Sequence, residues 1–149
     1  MTAKESITKH EGKKNKVYLD NALPPKRTIG VGWNMDANPL PAPIQSYLDE
    51  HGEITEEMID SLLELSIDVA TKDCFKLFPD FNGFSENRRM ALTDISFQLG
   101  YKRLHGFVNT IAAINTGRWD DAANEMMDSA WYRQVPNRAK EIVGLIREG

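Results

Sequence analysis

The chain has 149 residues, 41% of them hydrophobic and 27% charged, the length and balance of an ordinary globular domain, which excludes disordered and fibrous classes. Its formal net charge of −4 argues against nucleic acid as the main partner, because such binders gather a basic excess on one face. The single cysteine (Cys74), three scattered histidines (His10, His51, His105) and lack of an apolar run near about 18 residues exclude an internal disulfide, zinc-ligand spacing and a spanning helix.

In chain order, Thr2 with Glu5 three residues on has the form of a capping box, and Gly12 is a natural C-terminal stop, so residues 3 to 11 are predicted to form a short helix. Glu11 falls in its last turn, four residues after Ile7, which puts the carboxyl on the same helical face as an apolar side chain. That face is expected to point inward. Between Val17 and Trp33 short apolar runs are broken by DNALPPKR, and Ile29, Val31 and Trp33 alternate with Gly30 and Gly32, a pattern that predicts a small antiparallel sheet. Three prolines (Pro39, Pro41, Pro43) make residues 34 to 43 a connecting loop, and a short helix is expected from Ile44 to Glu50.

Thr55 followed by Glu56 and Glu57 is a helix start. Ile59, Leu62, Leu63, Ile67, Ala70 and Cys74 recur at three- and four-residue steps, predicting a long connecting helix that stops before Pro79. Ser85 is a candidate N-cap for a helix to Leu99 closed by Gly100, and shorter helices are expected at 107 to 115, 118 to 127 and 136 to 147. Two apolar stripes, Trp119, Ala122, Ala123, Met126 and Met127, then Ala139, Ile142, Val143 and Ile146, read as core. The expected fold is α+β and predominantly helical, one domain over 1–149 with two lobes: 1–54 with the N-terminal helix and small antiparallel sheet, a connecting helix over 55–78, and an all-helical lobe over 79–149.

The chemistry-bearing candidates are two carboxyls in unlike settings. Glu11, at a helix end beside apolar residues, is expected to hold its proton, and Asp20, in a polar turn, to stay ionised. Such a pair suits cleavage of a glycosidic bond, in which one group protonates the leaving oxygen and the other activates water or stabilises the developing cation. With 22 acidic residues in the chain, each of the two taken alone reads more readily as a solvated surface group.

The residues around them narrow the choice. HEGKKNKVYLD followed by TIGVGW resembles the N-terminal signature of phage-type lysozymes, glycoside hydrolase family 24, in which a helix-ending Glu-Gly precedes Tyr-x-Asp and Thr-Ile-Gly-x-Gly follows. SFQLG (96–100), GFVNT (106–110), GRWDDAA (117–123) and SAWYRQVPNRAKEIVGLIREG are similar to later segments of that family, in order and over nearly the whole chain. The resemblance implies a lysozyme-like fold and a muramidase (lysozyme, endolysin) that hydrolyses the β-1,4 bond between N-acetylmuramic acid and N-acetylglucosamine in bacterial peptidoglycan, with no metal and no cofactor. It implies Glu11 as general acid, Asp20 as the second carboxylate and Thr28 as the hydroxyl that helps hold the attacking water, hence inversion, with carboxyls about 6.5 to 9.5 Å apart. It also implies that Phe97, Gln98 and Thr110 meet the glycan from the helical lobe, Asn34 from the sheet side, and that Arg138 lies beside the catalytic glutamate. Thr28 reads alternatively as a plain strand residue, Arg138 as a helix-start charge, and Phe97 and Gln98 as structure.

The chain departs from the family in three places. Seven residues including Pro24 and Pro25 separate Asp20 from Thr28, a longer turn than the family form. Trp33 stands where a histidine often follows, as core or a sugar-stacking platform, and Glu125 where a neutral amide is expected. An acidic net charge means that attraction to an anionic wall polymer must be local. Two other readings therefore accompany the first: a non-catalytic peptidoglycan-binding or virion structural module, and a lytic transglycosylase or chitinase-like enzyme. The opening MTAKESITKHEGKKNK has no apolar signal region, so the endolysin reading implies accumulation in the host cytoplasm as a monomer, passage through a holin pore, and action on the wall in the periplasm, without membrane insertion or nucleic acid.

Overall fold

Gly12 closes the first helix as the sequence expects. In the computed structural model, which describes residues 2–149, α1 covers Ala3–Glu11, and the Gly12 amide donates to the Thr8 carbonyl at 2.9 Å. Gly12 sits at φ 74°, a left-handed conformation that glycine adopts without a Cβ penalty.

Three strands follow, β1 (Lys14–Leu19), β2 (Arg27–Gly30) and β3 (Trp33–Asn34), in an antiparallel sheet of order β1-β2-β3. Tyr18 lies opposite Thr28 and Leu19 opposite Arg27, while Thr28 and Ile29 face Asn34 and Trp33 on the other side. The sheet begins at Lys14 rather than near Val17, and Asn34 belongs to β3 rather than to the connecting loop. The register shifts between Lys14 and Tyr18, so β1 carries a bulge and shows no period of two for the sequence to reveal. Asn15 ties β1 to the chain ahead of the long helix: its side-chain amide donates to the Ile54 carbonyl, and the Ile54 amide donates to the Asn15 carbonyl, each at 3.0 Å.

Helix α2 spans Ala42–His51, two residues earlier than expected, because Pro43 fits the first turn, where no backbone N–H is required. Helix α3 spans Glu56–Leu77, capped by Thr55, whose hydroxyl accepts from the Met58 amide at 3.1 Å, and it stops before Pro79. Within α3 the chain divides into two compact units, Ala3–Ser66 and Ile67–Gly149. Ile7, Ile29, Val31, Ile44, Leu48, Ile54, Ile59 and Leu62 are buried in the first unit.

In the second unit the remainder of α3 and a short turn at Phe81–Gly83 precede α4 (Glu86–His105), α5 (Val108–Asn115), α6 (Trp119–Met127), α7 (Ala130–Gln134) and α8 (Pro136–Glu148). Ser85 caps α4 by accepting from the Arg88 amide at 3.2 Å. Gly100, at φ 75° and ψ 165°, does interrupt that helix, yet helical geometry resumes to His105. This extra turn, α7 and the single turn at Phe81–Gly83 are helical stretches the sequence did not reveal, each too short to show a period. Phe78, Leu92, Ile95, Leu104, Ile114, Met126, Trp131, Ile142 and Ile146 form the centre of this unit's core. Both predicted apolar stripes enter it, except that Met127 stays 43% exposed and Trp119 is only partly buried against the cluster. Among the described residues no helix is long and apolar enough to cross a membrane.

Candidate active site

In the first unit the polar turn after β1 is organised around two residues. Asp20 Oδ1 accepts from the Ala22 amide at 3.0 Å and from the Lys26 amide at 2.8 Å, while the Asp20 amide donates to the Lys26 carbonyl at 3.0 Å. Hydrogen bonds to an ionised acceptor are short and strong, so the turn holds the carboxylate by one oxygen. Oδ2 accepts no hydrogen bond among the described residues. The same Lys26 carbonyl takes the hydroxyl of Thr28 at 3.0 Å, which leaves Thr28 Oγ1 its lone pairs. One peptide unit therefore positions both Asp20 and Thr28.

Cross-strand partners share a face of a sheet, so Tyr18, Thr28 and Asn34 form a row across β1, β2 and β3. Thr28 is buried within it. Asn34 Oδ1 accepts from the amides of Asp36 and Ala37 at 2.9 and 3.0 Å, an Asx-type turn that fixes the side chain. Glu11 is half-buried at the end of α1, one turn from the fully buried Ile7. Burial pushes the Tyr18 phenol above its ordinary pKa, and the negative charges of Glu11 and of Asp20 push it further. Both carboxylates thus act on one phenol. Trp33 donates its indole N–H to the Asn38 carbonyl at 2.9 Å, fastening the following loop.

In the second unit the predicted residues meet around one that sequence reasoning missed. Asp94, 1% exposed, lies beside Arg138, 9% exposed. Asp94 Oδ1 accepts from Arg138 Nη2 at 2.6 Å, from Arg138 Nε at 3.2 Å and from Gln98 Nε2 at 3.0 Å. Gln98 Oε1 in turn accepts from the Trp131 indole at 3.0 Å. Gln98 is held at both ends, which gives it a structural role whatever ligand it meets, and one amide proton remains for another acceptor. The i, i+4 spacing of Asp94 and Gln98 on α4 was the only local signal of this network.

Phe97 is half-buried on α4. Thr110 is buried near the start of α5, and its hydroxyl makes no hydrogen bond among the described residues. Glu11, Asp20, Thr28 and Asn34 thus gather in the first unit, while Gln98 and Arg138 join through Asp94 in the second. No group of His, Cys, Asp and Glu among the described residues is arranged to hold a metal ion.

A family model described as phage lysozyme matches residues 8–148. The pre-baseplate central spike protein of Enterobacteria phage T4 is 29% identical over 163 aligned positions, which cover 100% of this chain and 28% of that protein, so the chain spans less than a third of this relative. Probable T4-type lysozyme 2 of Dictyostelium discoideum is 26% identical over 161 positions, covering 98% of this chain and 94% of its own length. Probable T4-type lysozyme 1 of the same organism is 30% identical over 99 positions, 64% of this chain and 58% of its own length.

Proposed function

Since the chain belongs to the phage lysozyme family, we propose that it hydrolyses the β-1,4 bond between N-acetylmuramic acid and N-acetylglucosamine in bacterial peptidoglycan, with inversion. The observation that carries this reading is the turn in which the Lys26 peptide holds Asp20 and Thr28 together, beside a phenol that responds to Glu11 and Asp20 alike.

In this mechanism Glu11 gives its proton to the departing glycosidic oxygen. A water on the opposite face donates one hydrogen to Asp20 Oδ2 and the other to Thr28 Oγ1, which turns a lone pair toward the anomeric carbon. As the C–O bond forms, Asp20 takes the first of these protons. The products are a new reducing end of inverted configuration and a free hydroxyl, and exchange with solvent returns a proton to Glu11 and removes one from Asp20. Asn34 Nδ2 and the spare amide proton of Gln98 bind the glycan, with Phe97 and Thr110 as further contacts. Arg138, held by Asp94, supplies positive charge for the anionic substrate. The protein acts as a monomer on the wall in the periplasm, reached from the host cytoplasm through a holin pore.

Release of reducing ends from purified peptidoglycan tests this. Glu11→Gln is expected to lose about 10²- to 10⁴-fold in rate, the span of general acid catalysis, while keeping its circular dichroism spectrum. Asp20→Asn is expected to behave alike. No reducing ends from the wild type would sink the reading, and anhydro ends would make the protein a transglycosylase. Similarity to a central spike protein favours a second reading, a wall-binding module of a larger particle; retention on insoluble peptidoglycan without released ends would select it.

A further inference from the structure

The chain is acidic, yet residues 13–27 carry five cations, Lys13, Lys14, Lys16, Lys26 and Arg27, against one anion, Asp20. Lys13 pairs with Glu56 at 3.4 Å and Arg27 with Asp36 at 2.9 Å. Lys14, Lys16 and Lys26 form no ion pair among the described residues. Interleaved with them are three large aliphatic side chains open to solvent: Val17 is 41% exposed, Leu19 64% and Leu23 95%. Lysines on an edge strand such as β1 are an ordinary guard against strand addition, but such a guard is weakened by exposed aliphatics beside it. A hydrated glycan gains little from aliphatic side chains. A surface with an anionic layer over an apolar interior uses both kinds of group, lysines on the phosphates and aliphatics below them.

We propose that the β1–β2 hairpin docks on an anionic lipid bilayer, with Leu23 entering the headgroup layer, Val17 and Leu19 at its margin, and Lys14, Lys16 and Lys26 on the lipid phosphates. The tip is preset for this. Asp20 Oδ1 closes the turn through the Ala22 and Lys26 amides, and Pro24 and Pro25 fix φ on the far side of Leu23, so little ordering is needed on contact. Docking of this kind does not depend on catalysis and is measurable apart from it.

The test is co-sedimentation of the full chain with vesicles of phosphatidylglycerol and phosphatidylethanolamine, and with vesicles of phosphatidylcholine alone. Wild type is expected to partition onto the anionic vesicles and not onto the neutral ones. Lys14→Gln/Lys16→Gln is expected to bind about twenty-five-fold more weakly, at about fivefold per juxtamembrane lysine. Leu23→Ser is expected to lose about tenfold through its lost apolar burial. Both variants should keep wild-type release of reducing ends from purified peptidoglycan, since neither position touches the catalytic groups. Failure of the wild type to bind anionic vesicles would overturn the proposal. So would full retention of binding by Leu23→Ser together with equal binding to dextran sulfate, because the hairpin would then be a site for hydrated polyanions.

Discussion

Removing the carboxylate of Asp94 is the most searching perturbation of the helical unit. Its Oδ1 accepts two hydrogen bonds from Arg138 and one from Gln98, and both members of the ion pair are nearly inaccessible, at 1% and 9%. Breaking such a pair by deleting one partner costs about 3–5 kcal/mol, because the surviving charge stays buried after losing this partner. Against a total stability of roughly 5–15 kcal/mol, Asp94→Ala is expected to forfeit at least about a fifth of it. Asp94→Asn keeps the size and one acceptor oxygen but loses the charge, and it should fall between the two at about 1.5–3 kcal/mol, the worth of a hydrogen bond to a charged group. Replacing both partners, as in Asp94→Leu/Arg138→Met, should recover part of the loss, since an apolar pair of similar volume carries no desolvation penalty, while Gln98 still loses its acceptor. Urea unfolding followed by circular dichroism measures all three. Asp94→Ala should also free the Gln98 amide nitrogen while Trp131 keeps its oxygen, so the Michaelis constant on peptidoglycan should rise more than the turnover number falls. A loss below about 1 kcal/mol for Asp94→Ala would place the pair among solvated surface ion pairs and refute the reasoning from burial.

Two further outcomes follow from the rest of the structure. The Tyr18 phenol titrates above its ordinary value of 10.0 because of burial first, then Glu11, then Asp20; Glu11→Gln and Asp20→Asn should each lower it without returning it fully, as read by tyrosinate absorbance, and an unmoved titration in both variants would mean that the carboxylates do not flank the ring. Because the folded pKa is the higher, the associated stability is fully present below the unfolded value near 10 and is lost as pH rises through the folded one. Arg88 donates to the carbonyls of Ile146 and Arg147 at 2.8 and 3.2 Å and lies 4.0 Å from the centre of the Trp119 ring, so Arg88→Ala should destabilise by about 2 kcal/mol, mostly through its charged hydrogen bonds. Arg88→Lys should regain less than half of that in thermal unfolding, because an ammonium cannot reproduce the guanidinium fork or its stacking.

What the sequence made legible follows the range of the interactions involved. The end of α1, the cap of α3 and the break at Gly100 are set by residues within one turn of each other, and each fell where capping chemistry puts it. Asp94 was invisible because Arg138 is 44 residues away, and nothing local marks a buried aspartate as the anchor of a distant arginine. Gln98 was readable as a glycan contact or as structure, and its bonds to Asp94 and Trp131 give the structural reading a definite content. Trp33 was open between core and a sugar platform; partly buried, it holds the Asn38 carbonyl, a bond no periodicity encodes.

The turn between Asp20 and Thr28 shows how pairing fixes a residue's place whatever the length of the loop before it. Register in a sheet is fixed by cross-strand pairing, since a one-residue slip would turn every side chain to the opposite face. Here Leu19 pairs with Arg27 and Tyr18 with Thr28, so extra chain between the strands cannot move Thr28 along β1 without breaking both pairs and exposing the buried Ile29. The excess goes outward instead. Asp20 closes the base of the loop by accepting the Ala22 and Lys26 amides, and the added residues emerge as a solvent-facing tip that carries Leu23 at 95% exposure. The seven residues between Asp20 and Thr28 therefore leave the base of the turn closed and Thr28 paired with Tyr18.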